Sequence, residues 1–165
     1  MRIAILTVSD RSAAGEREDT SGRIIREIVQ AQGWEVARTA VIPDDPETIR
    51  TTLADWADGE SADVILTTGG TGFGPRDVTP EATRAVIERD APGLPEAMRA
   101  ASLAITRHAM LSRQTAGIRR RTLIVNLPGN PKAVRENLDV LLPVLPHAVQ
   151  LLTGDPSAEG GHRQT

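Results

Sequence analysis

Four apolar segments rich in Ile, Val and Leu stand out along the chain: RIAILTV (2–8), EVARTAVI (35–42), DVILTT (63–68) and TLIVNL (122–127). Runs of this kind read as strands. The stretches between them carry their apolar residues at helical spacing. Ile24, Ile25, Ile28 and Val29 share one face, and Gly33 stands where a C-terminal cap belongs. Asp45-Pro46 reads as an N-cap followed by a first helical residue, with Ile49, Leu53 and Trp56 as the buried stripe. Thr79-Pro80 and Asn130-Pro131 repeat that start signal. The second of these opens a helix to about Leu142, with Val134, Leu138 and Leu141 inward and Pro143 as its stop. A short final helix follows. The alternation predicts an α/β fold, a three-layer αβα sandwich around a mostly parallel central sheet.

Two regions read differently. Within residues 91–118, PGLPEAMRAASLAI is helical in pattern, whereas HAMLSRQTAGI fits either a short strand or an irregular crossing. The closing TGDPSAEGGHRQT lacks an apolar period, so a domain over 1–152 and a flexible tail over 153–165 are expected.

Composition narrows the function. At 165 residues with 39% hydrophobic and 25% charged, the chain suits one soluble core. Its formal net charge of -3 gives no general attraction to nucleic acid or acidic membranes, and 2% aromatic residues leave no platform for stacking bases. No apolar run is long enough to span a bilayer, and MRIAILTVSD enters a strand directly, so a cytoplasmic location is expected. Zero cysteines exclude disulfides, thiolate metal sites and a cysteine nucleophile.

Ligands of open parallel sheets bind beyond the carboxyl ends of the strands. Every strand here runs into a polar or glycine-rich loop: Ser9-Asp10-Arg11-Ser12, then Pro43-Asp44-Asp45, then GGTGFGPRD (69–77), then the loop running from Asn126 through Pro128 and Gly129 to Lys132. The glycine segment is neither a P-loop, since no Lys-Ser or Lys-Thr comes after it, nor a dinucleotide fingerprint, since Pro75 takes the sixth position. Its successive N–H groups and the Thr71 hydroxyl can cradle a phosphate, and a side chain at Gly70 would then point at the ligand; the alternative is a plain turn. Asp44 and Asp77 beside such a cradle suggest Mg²⁺, which takes one or two carboxylates plus phosphates and waters. Otherwise both acids merely cap helices. His108, His147 and His162 lack metal-ligand spacing, and Arg119-Arg120-Arg121 is either a solvated charge run or a reach toward an anionic substrate. Ser112-Arg113 cannot be placed by pattern.

Taken in order and spacing, LTVSDRSAAGEREDTSG, IPDD, TTGGTGFGPRDVTPEAT, LSRQTAGI and NLPGNPKAV resemble the MogA/MoaB family of molybdenum cofactor biosynthesis, related to the gephyrin G domain. The resemblance covers the chain to about residue 152. It implies a molybdopterin-binding fold and a molybdopterin adenylyltransferase, which uses Mg-ATP to place AMP on the terminal phosphate of molybdopterin and releases pyrophosphate. Matched residue by residue, it implies that Asp44 and Asp77 are the essential carboxylates and the Mg²⁺ ligands. It makes Gly69, Gly70, Thr71 and Gly72 the phosphate loop and Ser9 and Asp10 the turn around the nucleotide. Ser112, Asn126, Pro128 and Gly129 complete the substrate contacts. It further implies a homotrimer and, as a possible partner, a molybdenum-insertion enzyme. Some relatives bind or assemble without catalysis; the presence of both acids favours the enzyme.

Overall fold

A computed structural model describes residues 1–156. Six strands form one sheet in the order β2-β1-β3-β6-β5-β4. The strands are β1 (Arg2–Val8), β2 (Glu35–Ile42), β3 (Val64–Thr68), β4 (Arg89–Asp90), β5 (Ala116–Arg119) and β6 (Thr122–Leu127). The helices are α1 (Asp10–Ala13), α2 (Thr20–Ala31), α3 (Pro46–Asp58), α4 (Thr79–Arg84), α5 (Gly93–Leu103), α6 (Pro131–Leu141) and α7 (Leu145–Thr153). The four apolar runs are the parallel strands β2, β1, β3 and β6. β5 and β4 are antiparallel additions at one edge.

Side chains alternate across the sheet, as the pleat requires. Ile3, Ile5, Val64, Leu66, Leu123, Val125 and Leu127 face a core completed by Ile24, Ile25 and Val29 of α2 and by Val134, Leu138 and Leu141 of α6. Ala4, Leu6, Val8, Ile65 and Ile124 face the other way, against Ile49, Leu53 and Trp56 of α3 and Ala82 of α4. These layers make the expected three-layer αβα sandwich.

Most predicted boundaries hold. Gly33 follows α2 at φ +73, a left-handed cap, and the Asp45 side chain accepts from the Thr48 N–H at the start of α3. Thr79 is different: α4 begins at Thr79 itself, after Val78, and no side chain caps it. The open region resolves into α5, a 3-10 turn over Arg107–Leu111, and β5. Helix α7 runs to Thr153, one residue past the expected domain end. Within the expected tail, residues 157–165, and with them His162, lie outside the described residues.

Arg119-Arg120-Arg121 faces away from the strand ends. Arg119 forms a two-pronged pair with Asp58 and donates to the Val86 carbonyl, Arg120 pairs with Asp58, and Arg121 donates to the Thr153 carbonyl. The run closes the β5–β6 hairpin and ties it to α3 and α7, so it makes no reach toward a substrate at the opposite end of the sheet.

Register assembles the site. Val8 pairs with Ile42, Thr7 with Thr68, and Thr68 with Leu127. Four strands therefore end level, and the loops after them converge.

Candidate active site

The glycine loop leaves β3 in a conformation open only to residues without a side chain. Gly69 has φ +98, and a Cβ there would lie 2.2 Å from the Val8 carbonyl oxygen. Gly70 has φ +62. Its missing side chain would point at Thr79 Oγ1, 2.4 Å away, and Asp44 Oδ1, 3.1 Å away. It therefore faces the buried floor of the loop, not the ligand side that the sequence pattern suggests. Gly129 also packs against the loop, with a Cβ position 3.3 Å from the Gly69 Cα.

The loop separates two cavities. The first, about 420 Å³, is lined by Ser9, Asp44, Gly69, Gly70, Asp77 and Gly129, among others. Asp19, Thr20 and Ser21 at the start of α2, and Asn130 and Pro131 at the start of α6, also line it. Two helix N-termini thus face one space, each with its dipole positive end toward the ligand, which favours phosphate. The second cavity, about 520 Å³, takes Thr71, Gly72, Ser112 and Pro128 as walls. Its apolar sides come from Ile105, Ala109, Leu111 and Ala133, and its hydrogen-bonding groups from Gln114, Asn137 and Arg99. Asn130 borders both.

Asp44 and Asp77 share the first cavity. Asp44 Oδ2 accepts from the Asp10 N–H at 2.8 Å, while the Asp10 carboxylate accepts from the Asp44 N–H at 2.9 Å. Asp10 is also gripped by Arg76 through Nε at 3.0 Å and Nη2 at 2.9 Å. Asp10 thus clasps the β2 loop to the glycine loop. Asp77 Oδ2 accepts from the Gly74 N–H at 2.8 Å, folding the tip of the loop back on itself. Burial, reinforced by the neighbouring charges of Asp10 and Asp77, holds the Asp44 carboxyl above its ordinary range although the Asp10 N–H pulls the other way. The Arg76 hydrogen bonds hold Asp10 below that range.

Not every predicted residue reaches a cavity. Asn126 is fully buried: its amide donates to Thr67 Oγ1 and Thr83 Oγ1, and its carbonyl accepts from the Thr115 N–H. It braces β6, β3 and α4 beneath the site. Ser9 caps α1. The Ser112 hydroxyl donates to Gln114 Oε1, and Gln114 in turn donates to Asn137 Oδ1.

Pattern also missed residues. Arg113 clamps the glycine loop: its backbone N–H donates to the Thr71 carbonyl at 3.0 Å. Its guanidinium donates to the Gly72 carbonyl at 2.6 Å, and to the Asp77 carbonyl and the Glu81 carboxylate. Its targets on the loop are backbone oxygens, so only the LSR spacing of the family could have hinted at it. His108, set aside from sequence, lies on the wall of the second cavity.

A mostly parallel αβα sandwich with a glycine loop at its strand ends, two acids beside that loop and paired cavities has the geometry of a site for a phosphate-bearing ligand. The family model described as "Probable molybdopterin binding domain" matches residues 4–147, and the chain belongs to that family. The crystal structure of the molybdopterin biosynthesis enzyme MoaB from Thermus thermophilus superposes with a TM-score of 0.88 at 54% identity, covering 94% of this chain and 98% of that one. A molybdopterin adenylyltransferase of Helicobacter pylori strain J99 is 40% identical over 157 residues, 94% of this chain and 89% of its own length. The molybdenum cofactor synthesis protein cinnamon of Drosophila melanogaster is 46% identical over 157 residues, but the chain spans only 26% of its length.

Two outcomes test the local geometry. Gly69→Ala should cost about 3 kcal/mol or more, from a disfavoured φ and a clash with backbone. Gly15→Ala, at φ +74 with nothing within 4 Å, should cost only about 1 kcal/mol. Equal losses in denaturant titrations would show that the close approach at Gly69 is not real.

Asp44→Asn keeps an oxygen for the Asp10 N–H and removes a half-buried charge. A carboxyl whose folded pKa is raised binds its proton more tightly folded than unfolded, so the wild type loses stability as pH rises through the window above the ordinary 3.8. The variant should therefore melt at the same temperature as wild type or higher at neutral pH, with the difference closing in acid. A variant less stable than wild type at neutral pH would contradict this.

Proposed function

We infer that this chain is a molybdopterin adenylyltransferase acting in molybdenum cofactor biosynthesis. The observation that carries the reading is the division of the strand-end site by the glycine loop, with both acids on one side. The first cavity suits a nucleotide polyphosphate: it has two helix N-termini, glycine N–H groups and carboxylates for a cation. The second suits the pterin, a flat heterocycle with an amide-like edge, because it offers apolar walls and a few convergent hydrogen-bonding groups. Ser112, Gln114 and Asn137 meet that edge, and Pro128 and Leu111 flank the ring.

In the reaction the terminal phosphate oxygen of molybdopterin attacks the α-phosphorus of ATP, a P–O bond forms, the α–β bridge breaks and pyrophosphate leaves. No protein nucleophile is needed. The chain supplies position and preorganised dipoles. The loop from Gly69 to Gly72, with its first two residues on one cavity and its last two on the other, brings the two phosphates to one place. Arg113 and the Gly74–Asp77 bond keep the loop from yielding, and Asn126 fixes the strands from which it springs.

The donor set fits Mg²⁺. Asp44 and Asp77 line one cavity and each leaves a carboxylate oxygen outside any hydrogen bond. Among the described residues no cluster of three or more His, Cys, Asp or Glu could hold a metal, so phosphates and waters would make up the remaining ligands. Bound there, the ion would neutralise charge on the reacting phosphates.

No described helix is long and apolar enough to cross a membrane, and a cytoplasmic enzyme is the simplest setting for this chemistry. A homotrimer, and handover of the adenylylated pterin to a molybdenum-insertion enzyme, complete the reading. Support for a linkage to further steps of cofactor synthesis comes from the molybdenum cofactor synthesis protein cinnamon, in which a similar domain occupies part of a longer chain.

Purified protein with molybdopterin and Mg-ATP should yield adenylyl-molybdopterin and pyrophosphate in equal amounts; binding of both without product would overturn the enzymatic reading. Asp77→Asn keeps an acceptor for the Gly74 N–H, so stability should change by no more than about 1 kcal/mol. Turnover should fall about 10²-fold or more, with pterin affinity retained. Wild-type turnover at low magnesium would remove Asp77 from the mechanism.

A further inference from the structure

Among the described residues, one buried side-chain oxygen or nitrogen has no hydrogen-bond partner: Thr79 Oγ1. The residue is fully buried, and a hydroxyl left unpaired in a protein interior carries a desolvation penalty that a folded chain normally avoids. Its surroundings suggest why it is kept. The backbone N–H of Thr79 donates to the Gly70 carbonyl at 3.1 Å, which sets the first residue of α4 directly under the glycine loop. The hydroxyl lies 2.4 Å from the point where a Gly70 Cβ would be, and Asp44 Oδ1 lies 3.1 Å from the same point. Of the two Asp44 oxygens, Oδ2 is held by the Asp10 N–H, whereas nothing in the described chain donates to Oδ1. One unpaired donor and one unpaired acceptor therefore face a single gap, and that gap exists only because residue 70 has no side chain.

We propose that Thr79 is the positioning residue of Asp44: its hydroxyl, unpaired in the ligand-free chain, donates across the gap at Gly70 to Oδ1 when the carboxylate takes up the nucleotide and its cation. Oδ1 would then accept from Thr79 while Oδ2 accepts from the Asp10 N–H, so that the carboxylate is held from both sides and each oxygen keeps a lone pair for the cation. The role explains why Thr79 uses its hydroxyl for no helix cap although it opens a helix. It gives Gly70 a second requirement beside its φ, since any side chain would wedge between the two oxygens. Thr79 is not a catalytic residue: it acts through Asp44.

This role rests on the nucleotide reading of the first cavity, and one experiment separates the two. Mn²⁺ binding in the presence of ATP, without molybdopterin, is followed by electron paramagnetic resonance for wild type, Thr79→Val, Thr79→Ser, Asp44→Asn and the Thr79→Val/Asp44→Asn double variant. Melting temperatures are measured on the same ligand-free proteins. Thr79→Val should melt no lower than wild type, because it removes an unpaired hydroxyl without changing shape, yet bind Mn²⁺ about tenfold more weakly, the worth of one hydrogen bond to a charged group. Thr79→Ser should restore wild-type binding, and in the Asp44→Asn background Thr79→Val should make no further difference. A lowered melting temperature for Thr79→Val would show a hydroxyl tied into the fold and overturn the role. So would unchanged Mn²⁺ binding, or a loss that persists without the Asp44 charge. A wild-type chain that binds no Mn²⁺ with ATP would overturn the nucleotide reading itself, and the role with it.

Discussion

Between β3 and α4 the backbone passes so close to the end of β1 that no side chain can be carried at Gly69, where a Cβ would sit 2.2 Å from the Val8 carbonyl oxygen. The whole site is built on that approach. Because Gly69 and Gly70 both take left-handed φ values, the chain turns sharply at the mouth of the sheet. Its following residues then rise as a wall between two cavities. Gly129 packs against Gly69 from the other side, so the wall is pinned by two strand-end loops and clamped at its far end by Arg113.

A parallel sheet makes this arrangement possible. Strands ending level bring every following loop to one edge, and the loops can then brace each other: Asp10 with the Asp44 N–H, Arg76 with Asp10, Thr68 with the Pro128 carbonyl, Ser21 with the Gly129 carbonyl. The acids stand in a space made electropositive by two helix N-termini. The positive ends of those helices offset part of the repulsion between Asp44 and Asp77.

The central layers were legible because their signal is local. Runs such as VILTT can bury both faces only inside a sheet, and Asp45-Pro46 and Asn130-Pro131 carry their capping chemistry within two residues. The edge was not. β4 is two exposed residues, Arg89 and Asp90, with no apolar pattern. The β5–β6 turn places Arg120 at φ +52, where glycine or asparagine would have signalled a hairpin. Within the site, Asp44, Asp77 and the glycines could be named from the order of motifs, since their chemistry is written in residue type. Asn126, which the resemblance places among the substrate contacts, is buried and lines neither cavity, because a strand-end asparagine can face either way. The roles of Arg113 and Thr79 are not legible in the sequence for a shared reason. Their roles are set by backbone atoms and carboxylates from loops distant in sequence, which only the register of the sheet brings together.

If the glycine loop divides one substrate from the other, each ligand must leave its mark on its own side of the wall. Amide chemical-shift mapping reads this out, with a nucleotide analogue that cannot be cleaved between its α- and β-phosphates and, separately, with molybdopterin. The nucleotide should move the amides of Ser9, Thr20 and Ser21, molybdopterin those of Ser112, Gln114 and Ala133, with only the loop from Gly69 to Gly72 responding to both. Two ligands that shift one common set of residues on the same side of the loop would show that no such division exists.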